Sequence, residues 1–255
     1  MRYGEFVKEL AAREKLDIAD LNTAVVAATA KAKAADPELA KKLNPDRVHP
    51  SPAGQLLMAA ELLKAWNAPA IVTAVEIDGA AGKVTRTGNT KVTGFKASDG
   101  SWRWTQLDAA LPMPVDAKDP ATALALKSSD FMTSLNHQSL TVTGLPAGEF
   151  TLKIDGDSVG VFTREQLAAD VNLAALPTPM TRQAANVHKL TLEHNNQHFA
   201  RWRNVQVPLA SSKSARVRKA LSELLAGMDE DEAETVQQQR AAAQPKPHDY
   251  ELSSK

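Results

Sequence analysis

Apolar residues in the first part of the chain recur at helical spacing. Phe6, Val7 and Leu10 fall on one face of a predicted helix. Ser51 fits a helix cap and Pro52 the first position of a later helix. Between these helices, residues 16–21 alternate apolar and polar side chains, which predicts a short strand. Residues 1–69 therefore have the pattern of the end of an α/β unit.

The pattern changes to a period of two after residue 70. Ile71, Thr73, Val75 and Ile77 alternate, and short β-forming segments follow, separated by glycine-containing turns. The pattern over residues 70–162 thus predicts a small antiparallel β subdomain. A polar stretch with helical potential, between residues 116 and 131, interrupts it. Helical periodicity returns over residues 163–228. Residues 229–255 contain an acidic run, a polar run and prolines, and we expect a mobile polar tail there.

Composition narrows the function classes. Lys and Arg number 30, as do Asp and Glu, so the formal charge is zero, which argues against a nucleic-acid partner. The chain has no cysteine, which excludes disulfides, thiolate zinc sites and a cysteine nucleophile. No apolar run approaches the roughly 20 residues of a membrane span. The charged first 16 residues do not form a secretory signal, and the sequence leaves the compartment unassigned.

The strongest candidate chemistry lies in one loop, residues 46–54, which reads Asp-Arg-Val-His-Pro-Ser-Pro-Ala-Gly. Asp46 stands three residues before His49, and Pro50 restricts the histidine backbone to an extended conformation. A neutral imidazole can take a proton from a serine hydroxyl and return it to a leaving group. A carboxylate on the other ring nitrogen orients the ring and stabilises the imidazolium. The alternative is that Asp46 caps a turn and His49 is an ordinary loop histidine.

This loop, with the helix that follows it (Leu56-Leu57-Met58-Ala59), resembles the last signature block of the SGNH (GDSL-type) hydrolases. Later segments resemble the C-terminal extension of bacterial members, namely Asp155-Gly156, Val171–Ala174 and Thr178–Met180. The resemblance implies an α/β fold: the C-terminal remnant of a three-layer αβα SGNH domain, followed by the small β subdomain and C-terminal helices. It implies that Asp46 orients His49, which acts as base and acid in an ester hydrolase.

The implied substrate is a small-molecule or carbohydrate ester, with no cofactor and no metal. Members of this family are frequently exported.

The sequence departs from the family in one respect. The family's nucleophilic serine and its oxyanion-hole residues precede the Asp-x-x-His block, yet residues 1–45 contain no serine. Asn22 and Asn44 also lack the Gly-x-Asn context. We therefore expect little catalysis from this chain alone. The alternative function is a noncatalytic β-rich binding or interaction module. In either case, an unpaired sheet edge would favour self-association.

Three other features have structural and functional interpretations. Gly156-Asp157-Ser158 matches a nucleophile motif, but β-forming residues follow it, so we predict a hairpin turn. His194 and His198 share a helix face, with His188 nearby, as metal ligands would; without a third ligand we favour packing contacts. Trp102 and Trp104 lie on one side of a predicted strand and could line a sugar site, but core packing is the favoured interpretation.

Overall fold

A computed structural model describes residues 2–255. Its N-terminal part consists of helices only, and all of them precede the first strand in the chain. The described residues 2–69 contain no strand, so the sheet layer expected for this segment is absent from it. The helices are α1 (Arg2–Glu14), α2 (Leu21–Ala35), α3 (Pro37–Ala40) and α4 (Pro52–Ala65), with a 3₁₀ turn at Lys41–Leu43.

The strand predicted over residues 16–21 is wrong. Residues 16–20 lie in the connection from α1 to α2, and Leu21 begins α2. Asp20 is the N-cap of α2, and its carboxylate accepts a hydrogen bond from the backbone N–H of Thr23. Leu16 and Ile18 are 62% and 42% exposed, so the alternation buries no face. An alternating pattern predicts a strand only where a neighbouring strand and a core are available to it.

Two sheets form the rest of the core. One sheet has the order β2-β1-β5-β8, and the other has the order β3-β4-β9-β6-β7. The strands are β1 (Ile71–Asp78), β2 (Lys83–Gly88), β3 (Thr90–Ser98), β4 (Ser101–Asp108), β5 (His137–Thr143), β6 (Glu149–Ile154), β7 (Asp157–Thr163), β8 (Val171–Asn172) and β9 (Pro247–Ser254).

The β region is not purely antiparallel as predicted, because β1 and β5 are parallel neighbours. A parallel pair needs a long crossover; here it spans residues 79–136, which first form β2, β3 and β4 and then a helical segment over residues 109–136. This crossover contains α5 (Pro120–Ser128) and α6 (Phe131–Ser134), so the helical potential seen in the polar stretch is real. Asp119 caps α5, and α5 packs its buried Ala121, Leu124 and Ala125 against the N-terminal helices.

Buried faces of both sheets share one hydrophobic cluster. Alternate residues of β1 and β5 point into it from the first sheet, and alternate residues of β4, β6 and β9 from the second. The indole of Trp104 stacks on Tyr250 with ring centroids 5.1 Å apart. The favoured core interpretation of Trp102 and Trp104 is confirmed, since they are 5% and 2% exposed.

The mobile tail expected over residues 229–255 is also wrong. Residues 229–242 belong to helix α10 (Ala215–Ala242), and β9 is the central strand of the five-stranded sheet. Leu252 lies opposite Trp102 of β4 on one side and Leu152 of β6 on the other. Tyr250 and Leu252 alternate with polar residues, so β9 buries one face of its eight residues. The prediction was wrong because this alternation stands at the end of the chain, after polar and proline-containing segments.

The remaining helices are α7 (Arg164–Ala168), α8 (Pro179–Phe199), α9 (Val207–Leu209) and α10, with a 3₁₀ turn at Leu173–Ala175. A π-helical stretch, Ala200–Gln206, joins α8 to α9. No helix within residues 2–255 is long and apolar enough to cross a membrane.

Candidate functional site

The Asp46–His49 loop is held between a 3₁₀ turn and α4. Ser51 caps α4 by accepting the backbone N–H of Gly54, and the Ser51 N–H donates to the carbonyl of Leu43 at 3.0 Å. A Cβ on Gly54 would lie only 2.2 Å from that carbonyl oxygen, so glycine is needed for the close approach. Ser51 and Gly54 of the Ser-Pro-Ala-Gly segment thereby hold the end of the loop against Leu43, which lies just before its start.

The structure brings Asp46 and His49 into direct contact. Asp46 Oδ2 is 2.6 Å from His49 Nδ1. Asp46 Oδ1 accepts the backbone N–H groups of Val48 and His49 at 2.9 and 2.7 Å. One carboxylate therefore closes the turn and orients the imidazole, so the capping and the orienting interpretations both describe the same residue.

The electrostatics of the pair favour an ionised carboxylate. Hydrogen bonding from the His49 ring, followed by the backbone N–H groups of His49 and Val48, lowers the pKa of Asp46 to about 2. The His49 side chain is 83% exposed and that of Asp46 is 54% exposed. The ring is not sealed in the interior, and a reacting group from outside this loop can approach it. The geometry fits an orienting acid and a base, whereas the catalytic role itself stays a prediction.

The Gly156-Asp157-Ser158 motif lies at a hairpin turn, as predicted. β6 and β7 pair with Ile154 opposite Asp157 and Lys153 opposite Ser158. Asp155 and Gly156 take φ values of 52° and 84°, the left-handed conformation that a tight two-residue hairpin requires. Ser158 is therefore a strand residue, without the strand-to-helix elbow that exposes a nucleophile.

His194 and His198 of α8 both approach Glu232 of α10, at 3.6 and 3.1 Å. Arg201 also approaches that carboxylate, at 3.9 Å, so cationic and polar partners already surround it. Within residues 2–255, no three or more His, Cys, Asp or Glu side chains form a group that could hold a metal ion. The favoured packing interpretation of His194 and His198 agrees with these contacts.

The structure contains two further Asp–His pairs that the sequence did not predict. Asp155 Oδ2 is 2.6 Å from His248 Nδ1, and Asp170 Oδ2 is 2.7 Å from His137 Nε2. The first pair joins β9 to the β6–β7 hairpin, and the side chain of His248 is only 11% exposed. The partners are 93 and 33 residues apart, and no local motif signals a contact of that range.

A buried carboxylate organises the end of the core near β4. Asp108 is 4% exposed and accepts hydrogen bonds from Thr90, Gln106 and Gln138, each at 2.7 Å. Burial raises the pKa of Asp108, and these hydrogen bonds oppose the rise. Trp104 Nε1 extends the network by donating to Gln106. The network links β3 and β4 of the five-stranded sheet to β5 of the four-stranded sheet, which indicates a structural role.

These features define a mixed α/β protein in which a helical layer, two packed sheets and a helical hairpin carry an exposed Asp–His pair. No family model and no curated protein matches the sequence. The fold is similar to a solved structure of a gut microbial diltiazem-metabolizing enzyme, with a TM-score of 0.80 and 22% sequence identity. The similarity covers 100% of this chain and 66% of that one, so the chain spans about two-thirds of that enzyme's length.

Proposed function

We propose that the chain carries the acid–base pair of an SGNH-type ester hydrolase, with a small-molecule or carbohydrate ester as substrate. The observation that carries this proposal is the contact between Asp46 and His49. The 2.6 Å bond fixes the ring through Nδ1 and leaves Nε2 for the reacting groups. The fold supports the proposal as well, since a diltiazem-metabolizing enzyme shares it.

In this reaction His49 Nε2 accepts the proton of a serine hydroxyl as its oxygen attacks the ester carbonyl. The imidazolium then gives that proton to the departing alcohol, leaving an acyl-enzyme. Water repeats the sequence: His49 takes its proton, the acyl group leaves as a carboxylic acid, and serine recovers its hydrogen. Asp46 stays ionised throughout and stabilises the imidazolium, as its lowered pKa favours.

The serine has to come from elsewhere than the start of this chain, because residues 1–45 contain none. The hydroxyl of Ser51 is engaged with the carbonyl of Leu43 and the N–H of Gly54. Ser158 lies in a strand beyond a hairpin turn. We propose that a polypeptide segment outside these 255 residues supplies the nucleophile and the oxyanion hole.

The test is hydrolysis of short-chain p-nitrophenyl esters by the protein with any segment encoded before Met1 included. His49→Ala should lower the rate roughly 10³-fold or more, and Asp46→Asn should lower it substantially as well. His198→Ala is the matched control, because that surface histidine also pairs with a carboxylate. Ser158→Ala should leave the rate unchanged.

The coding sequence upstream of Met1 is expected to contain an in-frame Gly-Asp-Ser segment. Hydrolysis that survives His49→Ala would contradict the proposal. Absence of both the upstream segment and any hydrolysis would favour the second candidate, a noncatalytic binding or interaction module.

A further inference from the structure

The C-terminal helices form an antiparallel hairpin with an open side. α8 and its continuation pack on α10, with Gln183 Nε2 donating to the carbonyl of Ala242 near one end and Arg201 pairing with Asp229 farther along. In α8 the buried residues are Met180 and Ala184, both in its first two turns. In α10, as far as the structure describes burial, Thr235 is the one buried residue. A long helical pair that buries so few residues leaves exposed helix faces on which another helix can pack.

One exposed face of α10 is built from small and apolar residues at helical spacing. Ala220, Leu224 and Gly227 follow one another at intervals of four and three residues and therefore lie on one face. Leu224 is 51% exposed. A Cβ placed on Gly227 would meet no atom within 4 Å, so this face is open.

Charge along α10 reverses on either side of Leu224. Apart from Glu223, which pairs with Lys219 in the same helix, the charged residues of α10 before Leu224 are basic, and those from Asp229 to Glu234 are acidic. The basic residues are Arg216, Arg218 and Lys219; the acidic residues are Asp229, Glu230, Asp231, Glu232 and Glu234. Asp229 and Glu232 already pair with Arg201, His194 and His198 of the same chain, whereas Arg216 and Asp231 are both exposed.

This arrangement is complementary to itself when one helix is turned end for end. Arg216 lies eight residues before Leu224, and Asp231 lies seven residues after it. In an antiparallel pair of α10 helices crossing near Leu224, Arg216 of each copy meets Asp231 of the other. Ala220 then meets Gly227, and two small residues allow the backbones to approach closely. An isologous two-fold interface requires such self-complementarity.

We propose that this face of α10, residues 216–231, is a homodimer interface in which two copies of the chain pair antiparallel about Leu224. Leu224 of both copies forms the apolar centre, and the two Arg216–Asp231 pairs form its charged ends. Charge complementarity selects a second copy as the occupant, since a uniformly anionic surface would be repelled by the acidic half of the face.

The first experiment measures the mass of the protein by sedimentation equilibrium across a range of concentrations. We expect a concentration-dependent rise from 27.4 kDa to twice that mass, with dissociation favoured by added salt. Arg216→Asp alone and Asp231→Arg alone should each raise the dimer dissociation constant roughly tenfold or more, because each places like charges together twice. The double variant carrying both changes should recover the dimer, and Lys189→Asp on α8 is the matched control.

A second experiment locates the two-fold axis. The chain has no cysteine, so Leu224→Cys introduces one thiol that meets its own copy at the proposed axis. We expect oxidation to give a disulfide-linked dimer for Leu224→Cys and little for Lys189→Cys, an exposed position on the other helix. A monomer at all concentrations would overturn the proposal. A dimer that ignores Arg216→Asp and does not cross-link through position 224 would overturn it equally, and would point to a sheet edge instead.

Discussion

Leu252→Ala tests the placement of the last strand at the centre of the five-stranded sheet. Leu252 is 0% exposed and has β4 on one side and β6 on the other, with Trp102 and Leu152 directly opposite. Strands on both sides prevent the site from collapsing around the missing atoms. A buried Leu→Ala change costs roughly 2–5 kcal/mol, and we expect about 4 kcal/mol here. In a mobile tail the same change would cost almost nothing.

The assay is urea unfolding followed by far-UV circular dichroism. With an m value of about 3 kcal/mol/M, a loss of about 4 kcal/mol lowers the midpoint by about 1.3 M urea, with m unchanged. The melting temperature should fall by about 8–16 °C for a chain of this size. Ser253→Ala, at the neighbouring position and on the other face of the strand, is the control and should change stability by less than about 0.5 kcal/mol. Equal midpoints for the two variants would refute the central position of β9.

Three further predictions concern titrating groups. An NMR titration should show the Asp46 carboxyl with a pKa of about 2; His49→Ala should move it towards the ordinary 3.8. The depressed pKa means that Asp46 stabilises the loop above about pH 4 and loses this effect as pH falls through about 2. Burial, followed by the charges of Asp108 and Asp155, raises the pKa of Tyr250 well above 10.0. Because the unfolded chain then loses this proton before the folded protein does, the free energy of unfolding should fall as the pH rises past 10.0. Tyr250→Phe should reduce this fall, as measured by urea unfolding at alkaline pH. Asp108→Ala should lower the free energy of unfolding by about 2–4 kcal/mol, measured by urea unfolding, because three donors lose their acceptor. A loss below about 0.5 kcal/mol would contradict a stabilising role of this network.

Local chemistry in this protein is readable from the sequence. Ser51-Pro52 begins α4 where the pattern predicts it, since a capping hydroxyl and a fixed proline φ act within one turn. The turn at Asp155-Gly156 follows from residues that tolerate a positive φ. The contact between Asp46 and His49 spans three residues and closes a turn. Each of these features involves groups that the chain holds close together before any tertiary contact forms.

Longer-range features depended on the tertiary structure. The alternating residues 16–21 have no neighbouring strand, whereas the alternating residues around Tyr250 lie between two strands. From the sequence alone, a strand was predicted for the wrong one of these two segments. The parallel pairing of β1 with β5 and the joining of Asp155 to His248 link residues that lie far apart in the chain. A strand becomes stable through its partners and the apolar surface it buries, and those belong to the whole fold. Local pattern therefore determined the loop in which Asp46 contacts His49, and tertiary packing decided which segments became the sheets around the core.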